Sequence, residues 1–320
     1  MKHMLVTGGA GFIGSHLVER LLADGHAVVV VDDLSTGRLE NLRAVKGHPH
    51  LRIYRAKIST CGELPRLAAR AEAIYHLAAA VGVELVVNSP IHVCRTNLHE
   101  TEVLLEAAAA RRVPVLLAST SEVYGKSTRP QFCEEDDLLI GPPTQARWSY
   151  ACSKLMDEFL ALAYAQERGL PVIITRLFNT VGPRQTGQYG MVLPKFIKAA
   201  LLDQPLVVYG SGKQTRCFAD VSDVTDAFVK LMNTPECEGE IFNVGTTESI
   251  SINDLAQKVK TICRSKSRID YMSYEEAFEE GFEDMMNRKP SLDKIRRFIG
   301  YDPKYSLDDI IKRMIEYYEN

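Results

Sequence analysis

The chain has 320 residues, 46% of them hydrophobic and 25% charged, with a formal net charge of −3. That composition suits a globular protein with a sizeable core and excludes the strongly basic surface that nucleic acid or an anionic membrane would require. Seven scattered cysteines with no C-x-x-C or Cys/His ligand spacing read as reduced thiols of a cytoplasmic protein, and no metal site is expected.

Met4 to Thr7 is a short apolar run that leads directly into Gly8-Gly9-Ala10-Gly11-Phe12-Ile13-Gly14 and an amphipathic helix from about Ser15 to Ala23. No signal-peptide core precedes it, and no stretch reaches the roughly 18 apolar residues of a membrane span. Strand, glycine turn and helix in this order form a pyrophosphate cradle. Gly8, Gly11 and Gly14 permit the tight turn and the close approach of backbone N–H groups, and the helix N-terminus favours an anion. A second apolar strand, Ala27 to Val31, ends at Asp32. A carboxylate there accepts ribose hydroxyls and repels a 2′-phosphate, which points to NAD rather than NADP.

Alternation continues through strand Leu51 to Ala56, helix Glu63 to Arg70, strand Ala73 to Leu77, a long helix Pro90 to Arg111 and strand Val113 to Ala118. Such a pattern implies a doubly wound parallel sheet with ligands across the carboxyl ends of its strands. The fifth strand runs into Ser119-Thr120-Ser121-Glu122-Val123-Tyr124-Gly125. A polar loop, Lys126 to Ala146, then precedes Arg147-Trp148-Ser149-Tyr150 and a helix to about Arg168. On that helix Tyr150 and Lys154 share a face, where an ammonium can favour a phenolate.

A sixth strand, Pro171 to Leu177, ends at Phe178-Asn179. Beyond it the pattern is irregular: helix Pro194 to Leu202, strand Leu206 to Tyr209, loop Gly210 to Arg216, helix Ile252 to Cys263, an acidic segment Tyr274 to Asp284 and a C-terminal amphipathic helix. The expected organisation is a Rossmann-type α/β domain over 1–180, with 221–245 returning to it, and a smaller interwoven substrate-binding lobe over 181–320.

Thr7 to Gly14, Leu77-Ala78-Ala79, Thr120 to Gly125, Tyr150 with Lys154, and Arg176-Leu177-Phe178-Asn179 together resemble the extended short-chain dehydrogenase/reductase family of nucleotide-sugar epimerases, dehydratases and decarboxylases. The resemblance implies NAD that removes hydride from C4 of a sugar bound through its nucleoside diphosphate. It implies a base at Tyr150, a Lys154 that lowers the pKa of Tyr150 and holds the nicotinamide ribose, and a Thr120 that hydrogen-bonds O4. The cofactor contacts it implies are Gly8, Gly11, Phe12, Ile13, Gly14, Asp32, Ile58, Leu77, Ala78, Ala79, Asn97 and Ser119. Asn179, Arg216 and Arg288 resemble substrate-diphosphate contacts, and Tyr209 borders the base. Lys57 stands where many members have an aspartate near the adenine. A homodimer through the long helices at Pro90 to Arg111 and Tyr150 to Arg168 is expected on the same ground.

Ser121-Glu122 distinguishes the possible reactions. A plain 4-epimerase has no evident use for a carboxyl group beside Thr120, whereas dehydratases and decarboxylases act at C5 and C6. Arg147-Trp148-Ser149-Tyr150, Arg216-Cys217-Phe218 and Arg288-Lys289-Pro290-Ser291 resemble the decarboxylase branch. Val86 stands where those enzymes carry a tyrosine near the glucuronate, and Ala80-Val81-Gly82-Val83 resembles epimerases. The leading reading is UDP-glucuronate decarboxylation, followed by 4-epimerisation of a UDP-sugar and 4,6-dehydration. A non-catalytic NAD-binding regulator would be expected to lack Tyr150, Lys154 or Thr120, and all three are present.

Overall fold

The computed structural model describes residues 1–187, 191–277 and 285–319, so the acidic segment from 278 onward lies outside the described residues. The first half contains β1 (His3–Thr7), α1 (Phe12–Ala23), β2 (Ala27–Asp32), β3 (Leu51–Arg55), α2 (Leu64–Arg70), β4 (Ala73–His76), α3 (Val83–Asn88), α4 (Pro90–Ala109), β5 (Val115–Thr120), α5 (Trp148–Arg168) and β6 (Val172–Leu177). There follow β7 (Thr180–Val181), α6 (Val192–Leu201), β8 (Leu206–Tyr209), β9 (Thr215–Cys217), β10 (Ala219–Asp220), α7 (Val221–Met232), β11 (Ile241–Val244), β12 (Ser249–Ser251), α8 (Ile252–Ile262), β13 (Ile269–Met272), α9 (Tyr274–Ala277), α10 (Asp293–Ile299) and α11 (Leu307–Glu319).

Seven strands form one sheet in the order β11-β6-β5-β4-β1-β2-β3. Every pairing is parallel. Alternate side chains serve opposite faces: Met4 and Val6 of β1 pack with Leu17, Leu21 and Phe228, while Leu5 packs with Leu64, Leu104 and Ala161. Strand order reverses beside β1, so the crevice opens at the carboxyl ends of β1 and β4. The fold is therefore the expected doubly wound α/β arrangement. A separate hydrophobic cluster of Phe196, Leu206, Leu255 and Ile311 is drawn from α6, β8, α8 and α11. Here β13 pairs parallel with β8, and β12 pairs antiparallel with β9. The short α3, β9, β12, β13 and α10 were not expected, because three to seven residues carry too little periodicity to be read.

The loop at 126–146 is held by aromatic packing. Tyr124 stacks on Phe132 at 4.8 Å between centroids, with Trp148 and Phe178 in the same cluster, and the Tyr124 hydroxyl donates to Asn243 Oδ1 at 2.7 Å. Phe132 N donates to Lys289 O at 2.8 Å and Ser291 N to Phe132 O at 2.7 Å, which brings the segment carrying Arg288 against the sheet edge.

Beneath that edge, Arg176 of β6 donates from Nη2 to Glu158 Oε2 at 2.8 Å, and the Ser119 hydroxyl donates to the other Glu158 oxygen. All three side chains are buried. Removing one partner of a buried ion pair strands the other charge, so Glu158→Ala should destabilise the fold by about 3–5 kcal/mol in urea unfolding. Joint replacement of Glu158 and Arg176 by Met should cost much less.

Candidate active site

Two cavities, of about 470 and about 340 Å³, meet at Tyr150, Glu122, Asn179 and Arg288, each of which lines both. Both have the size of small-molecule sites.

The larger cavity runs across the carboxyl ends of the sheet. Gly8, Gly11, Phe12, Ile13 and Gly14 line it at the α1 end, Asp32 and Ile58 at the far end, and Leu77, Ala78, Ala79 and Ser119 along its floor. Gly8 has φ +70°, and a Cβ there would lie 2.7 Å from Ala78 N. A Cβ on Gly14 would overlap the Gly8 carbonyl oxygen. No side chain caps the start of α1, which leaves that helix end to an anion. Asp32 accepts from Ala10 N at 2.8 Å and Leu34 N at 2.9 Å, and burial raises its carboxyl above the usual range. Lys57 lines the Ile58 end. A carboxylate reaches the same end from α4, where Glu100 accepts from Ser59 N at 2.7 Å and Ser59 Oγ at 2.6 Å.

Asn97 lines neither cavity. Its amide is committed to Ala80 N and O, at 2.7 and 3.2 Å, and to Ser153 Oγ at 3.0 Å, so it braces the Ala80 loop against α5 instead of facing the cleft. Lys154 is also absent from both linings. Its Nζ donates to Asp157 Oδ2 at 2.8 Å, one turn along the helix and fully buried. Sequence reading missed Asp157, because an acid three residues after a lysine is common on solvated helix faces.

The smaller cavity is lined by Val86, Arg147, Tyr209 and Arg216 among others, in addition to the residues it shares with the larger one. Asn179 Nδ2 donates to Cys217 O at 3.0 Å, and Arg216 Nη1 donates to Thr215 O and Met285 O, both at 2.8 Å. Val86 packs with Ala80, Val93 and Tyr150. Arg184 turns the other way, to Ser15 Oγ at 3.2 Å and Glu19 Oε1 at 2.7 Å on α1.

At the junction, Thr120 Oγ1 accepts from Glu122 N at 3.2 Å and is hydrogen-bonded to the Tyr150 phenol. Burial pushes the Tyr150 phenol well above its ordinary value, and the Glu122 carboxylate adds to this; Thr120 and the Arg288 guanidinium oppose them. The direction is opposite to the lowering expected from Lys154, and the Asp157 carboxylate is among the charges that raise the phenol. Arg288, which lines the same cavity as Asn179 and Arg216, donates from Nη2 to Ser121 Oγ at 2.7 Å and pairs with Glu122 Oε1 at 3.4 Å. A cation, a hydroxyl and a carboxylate thus stand beside a phenol at the meeting point of the two cavities.

The family model for the NAD dependent epimerase/dehydratase family matches residues 4–245. The chain belongs to that family. It is 40% identical to a UDP-N-acetyl-alpha-D-glucosaminuronate decarboxylase of Bacillus cytotoxicus, over 99% of this chain and 98% of the relative. It is 35% identical to UDP-glucuronic acid decarboxylase 1 of Danio rerio, over 99% of this chain and 72% of that one. Among solved structures, the UDP-glucuronic acid 4-epimerase from Bacillus cereus, in complex with UDP-glucuronic acid and NAD, superposes with a TM-score of 0.89 at 27% identity and covers 99% of both chains.

As a member of the epimerase/dehydratase family the chain is an NAD-dependent enzyme. The larger cavity fits that cofactor: the uncapped start of α1 and the glycines take a pyrophosphate, and Asp32 offers acceptors for ribose hydroxyls. Gly14→Ala should weaken NADH binding at least about tenfold in a fluorescence titration, since the new methyl must displace the Gly8 carbonyl at an overpacking cost of about 1–3 kcal/mol.

Proposed function

We propose that the enzyme decarboxylates a UDP-hexuronate after oxidation at C4. The observation that carries this reading is Arg288 held against Ser121 and Glu122, beside Tyr150, at the junction of the two cavities. A guanidinium and a hydroxyl suit the C6 carboxylate of a uronate, which Arg can pair bidentately, whereas a neutral hexose offers them nothing to neutralise. The names of the relatives in Bacillus cytotoxicus and Danio rerio support the same chemistry.

Bound in the larger cavity, NAD would supply hydride acceptance and return at C4. Tyr150 exchanges the O4 proton. Burial favours the protonated phenol that returns this proton, and the Arg288 charge favours the phenolate that first removes it. Thr120 hydrogen-bonds the same sugar oxygen. With C4 at the ketone level, the C5–C6 bond breaks and carbon dioxide leaves, the electron pair passing through C5 to the C4 oxygen as an enolate; the Glu122 carboxylate then relays a proton from water to C5 as the enolate collapses back to the C4 ketone. Arg216, Asn179 and Arg147 border the half of the cleft that takes the UDP moiety, with Tyr209 beside the base.

A second reading changes the sugar, not the reaction: the relative in Bacillus cytotoxicus acts, by its name, on a 2-acetamido uronate. A 4-epimerase acting on UDP-glucuronate is the alternative reaction, supported by the solved neighbour of that activity. Incubation with UDP-glucuronate, UDP-N-acetylglucosaminuronate and UDP-glucose, read by mass spectrometry, separates the readings. The expected product is a pentose derivative lighter by carbon dioxide from one or both uronates; isomers of unchanged mass alone would sink decarboxylation. Arg288→Lys, which keeps charge but loses the fork, should lower kcat/KM for the uronate by about 2 kcal/mol. Glu122→Gln should abolish most decarboxylation.

The enzyme is further proposed to act as a homodimer in the cytoplasm. Ile91 and Leu98 on α4 and Met156 and Phe159 on α5 are exposed, Ile91 to 75% and Phe159 to 61%, an apolar face that a second copy would cover. All seven cysteines are free, as a reducing compartment requires. Phe159→Glu should shift the sedimentation coefficient from dimer to monomer.

A further inference from the structure

We infer that Asp157 is a positioning residue for catalysis, a buried counter-charge that orients the Lys154 ammonium and ties it through a chain of buried polar groups to the glycine turn. The inference rests on the reading of Tyr150 and Lys154 as the proton-transfer pair.

The pair is deeply enclosed, with side-chain exposures of 2% for Lys154 and 0% for Asp157, and the contact is 2.8 Å. An ammonium out of water is costly unless a charged, hydrogen-bonded partner stands beside it, and the same burial makes the attraction strong. The chain runs on from Asp157. The Thr101 hydroxyl of α4 adjoins its carboxylate, Thr101 Oγ1 contacts His76 Nε2 at 3.0 Å, and His76 Nδ1 contacts Thr7 Oγ1 at 2.7 Å. Thr7 is the last residue of β1, directly before Gly8, and its hydroxyl also accepts from Ala78 N at 3.5 Å. One end of the chain is therefore the catalytic helix, and the other is the turn that cradles the cofactor.

The surrounding charges leave Asp157 as the partner of Lys154. His76 on β4 is held neutral: burial, reinforced by the Lys154 charge, pushes its imidazole down to about 3. Glu158, next on the helix, is engaged by Arg176 and Ser119. Glu122 and Arg288 bear on Tyr150, one turn earlier, and Asp157 also acts on that phenol directly, raising it. Burial raises the Asp157 carboxyl, while Lys154 and Thr101 work to keep it ionised. The chain of polar groups ends at Thr7, which is itself fully buried, so its geometry suits orientation rather than proton export to solvent.

Without the carboxylate, a buried ammonium surrenders its proton more readily, and a neutral amine no longer stabilises a phenolate. The test compares full-length holoenzyme variants in kcat/KM against pH, with NADH affinity by fluorescence and urea midpoints measured alongside. Asp157→Asn should lower kcat/KM about tenfold at neutral pH and move the basic limb toward acid by about one pH unit or more. Thr101→Val, nearly isosteric, should move the limb the same way by less. If Asp157→Asn fails to fold, Thr101→Val decides. In the urea series, Lys154→Met added to Asp157→Asn should recover part of the lost midpoint, since it removes the stranded charge. Superimposable pH profiles for folded variants and wild type, whatever their midpoints, would reduce Asp157 to a structural ion pair and overturn the inference. Tyr150→Phe separates the two levels. Loss of turnover in that variant beside an unmoved Asp157→Asn profile defeats this inference alone, whereas full turnover in Tyr150→Phe removes the catalytic reading beneath it.

Discussion

The ion pair between Glu158 of α5 and Arg176 of β6 is the contact on which the geometry of the cleft depends. Glu158 accepts from Arg176 on one strand and from Ser119 on its neighbour, so the helix is fixed in height and rotation against the carboxyl ends of β5 and β6. Two turns earlier the same helix carries Tyr150, which is thereby set over Thr120. A hydrophobic contact could hold the helix as tightly, but apolar packing tolerates sliding and rotation that directed hydrogen bonds between buried charges do not.

This dependence explains an inversion in α5. Its inward face carries Ser153, Lys154, Asp157 and Glu158, while Met156 and Phe159 face outward. A helix of an isolated globular chain would show the reverse. The inward polar groups are each partnered, by Asn97, Asp157, Lys154 and Arg176 in turn, which makes their burial tolerable. Among the described residues the outward apolar groups of Met156 and Phe159 remain exposed.

A second constraint is the closing of the cleft by a distant segment. Phe132 takes both a donor and an acceptor from the strip around Lys289 and Ser291, and that strip delivers Arg288 to Ser121 and Glu122. The aromatic cluster of Tyr124, Phe132, Trp148 and Phe178 is thus the mount for the site's cation as well as packing. The larger cavity is built by backbone approach at glycines. The smaller one is built by side chains gathered from stretches scattered between Val81 and Arg288.

Much of the fold was legible because its signals are local. The apolar runs, the glycine turn, Asp32 at the end of the second strand and the Tyr150 helix each lie within about twenty residues, where periodicity and turn chemistry act directly. Short elements such as α3 and β13 were not legible, since their pairing and packing come from elsewhere in the chain. The same limit applies to the site. Sequence by itself determined that a dinucleotide cleft exists and that Tyr150, Thr120 and Glu122 belong near its edge. Only the tertiary structure decided that Lys154 faces Asp157, that Asn97 braces a loop, and that Arg288 reaches Ser121 and Glu122. The physical reason is that burial and the choice of partner set what a charge does, and both are properties of the packed chain.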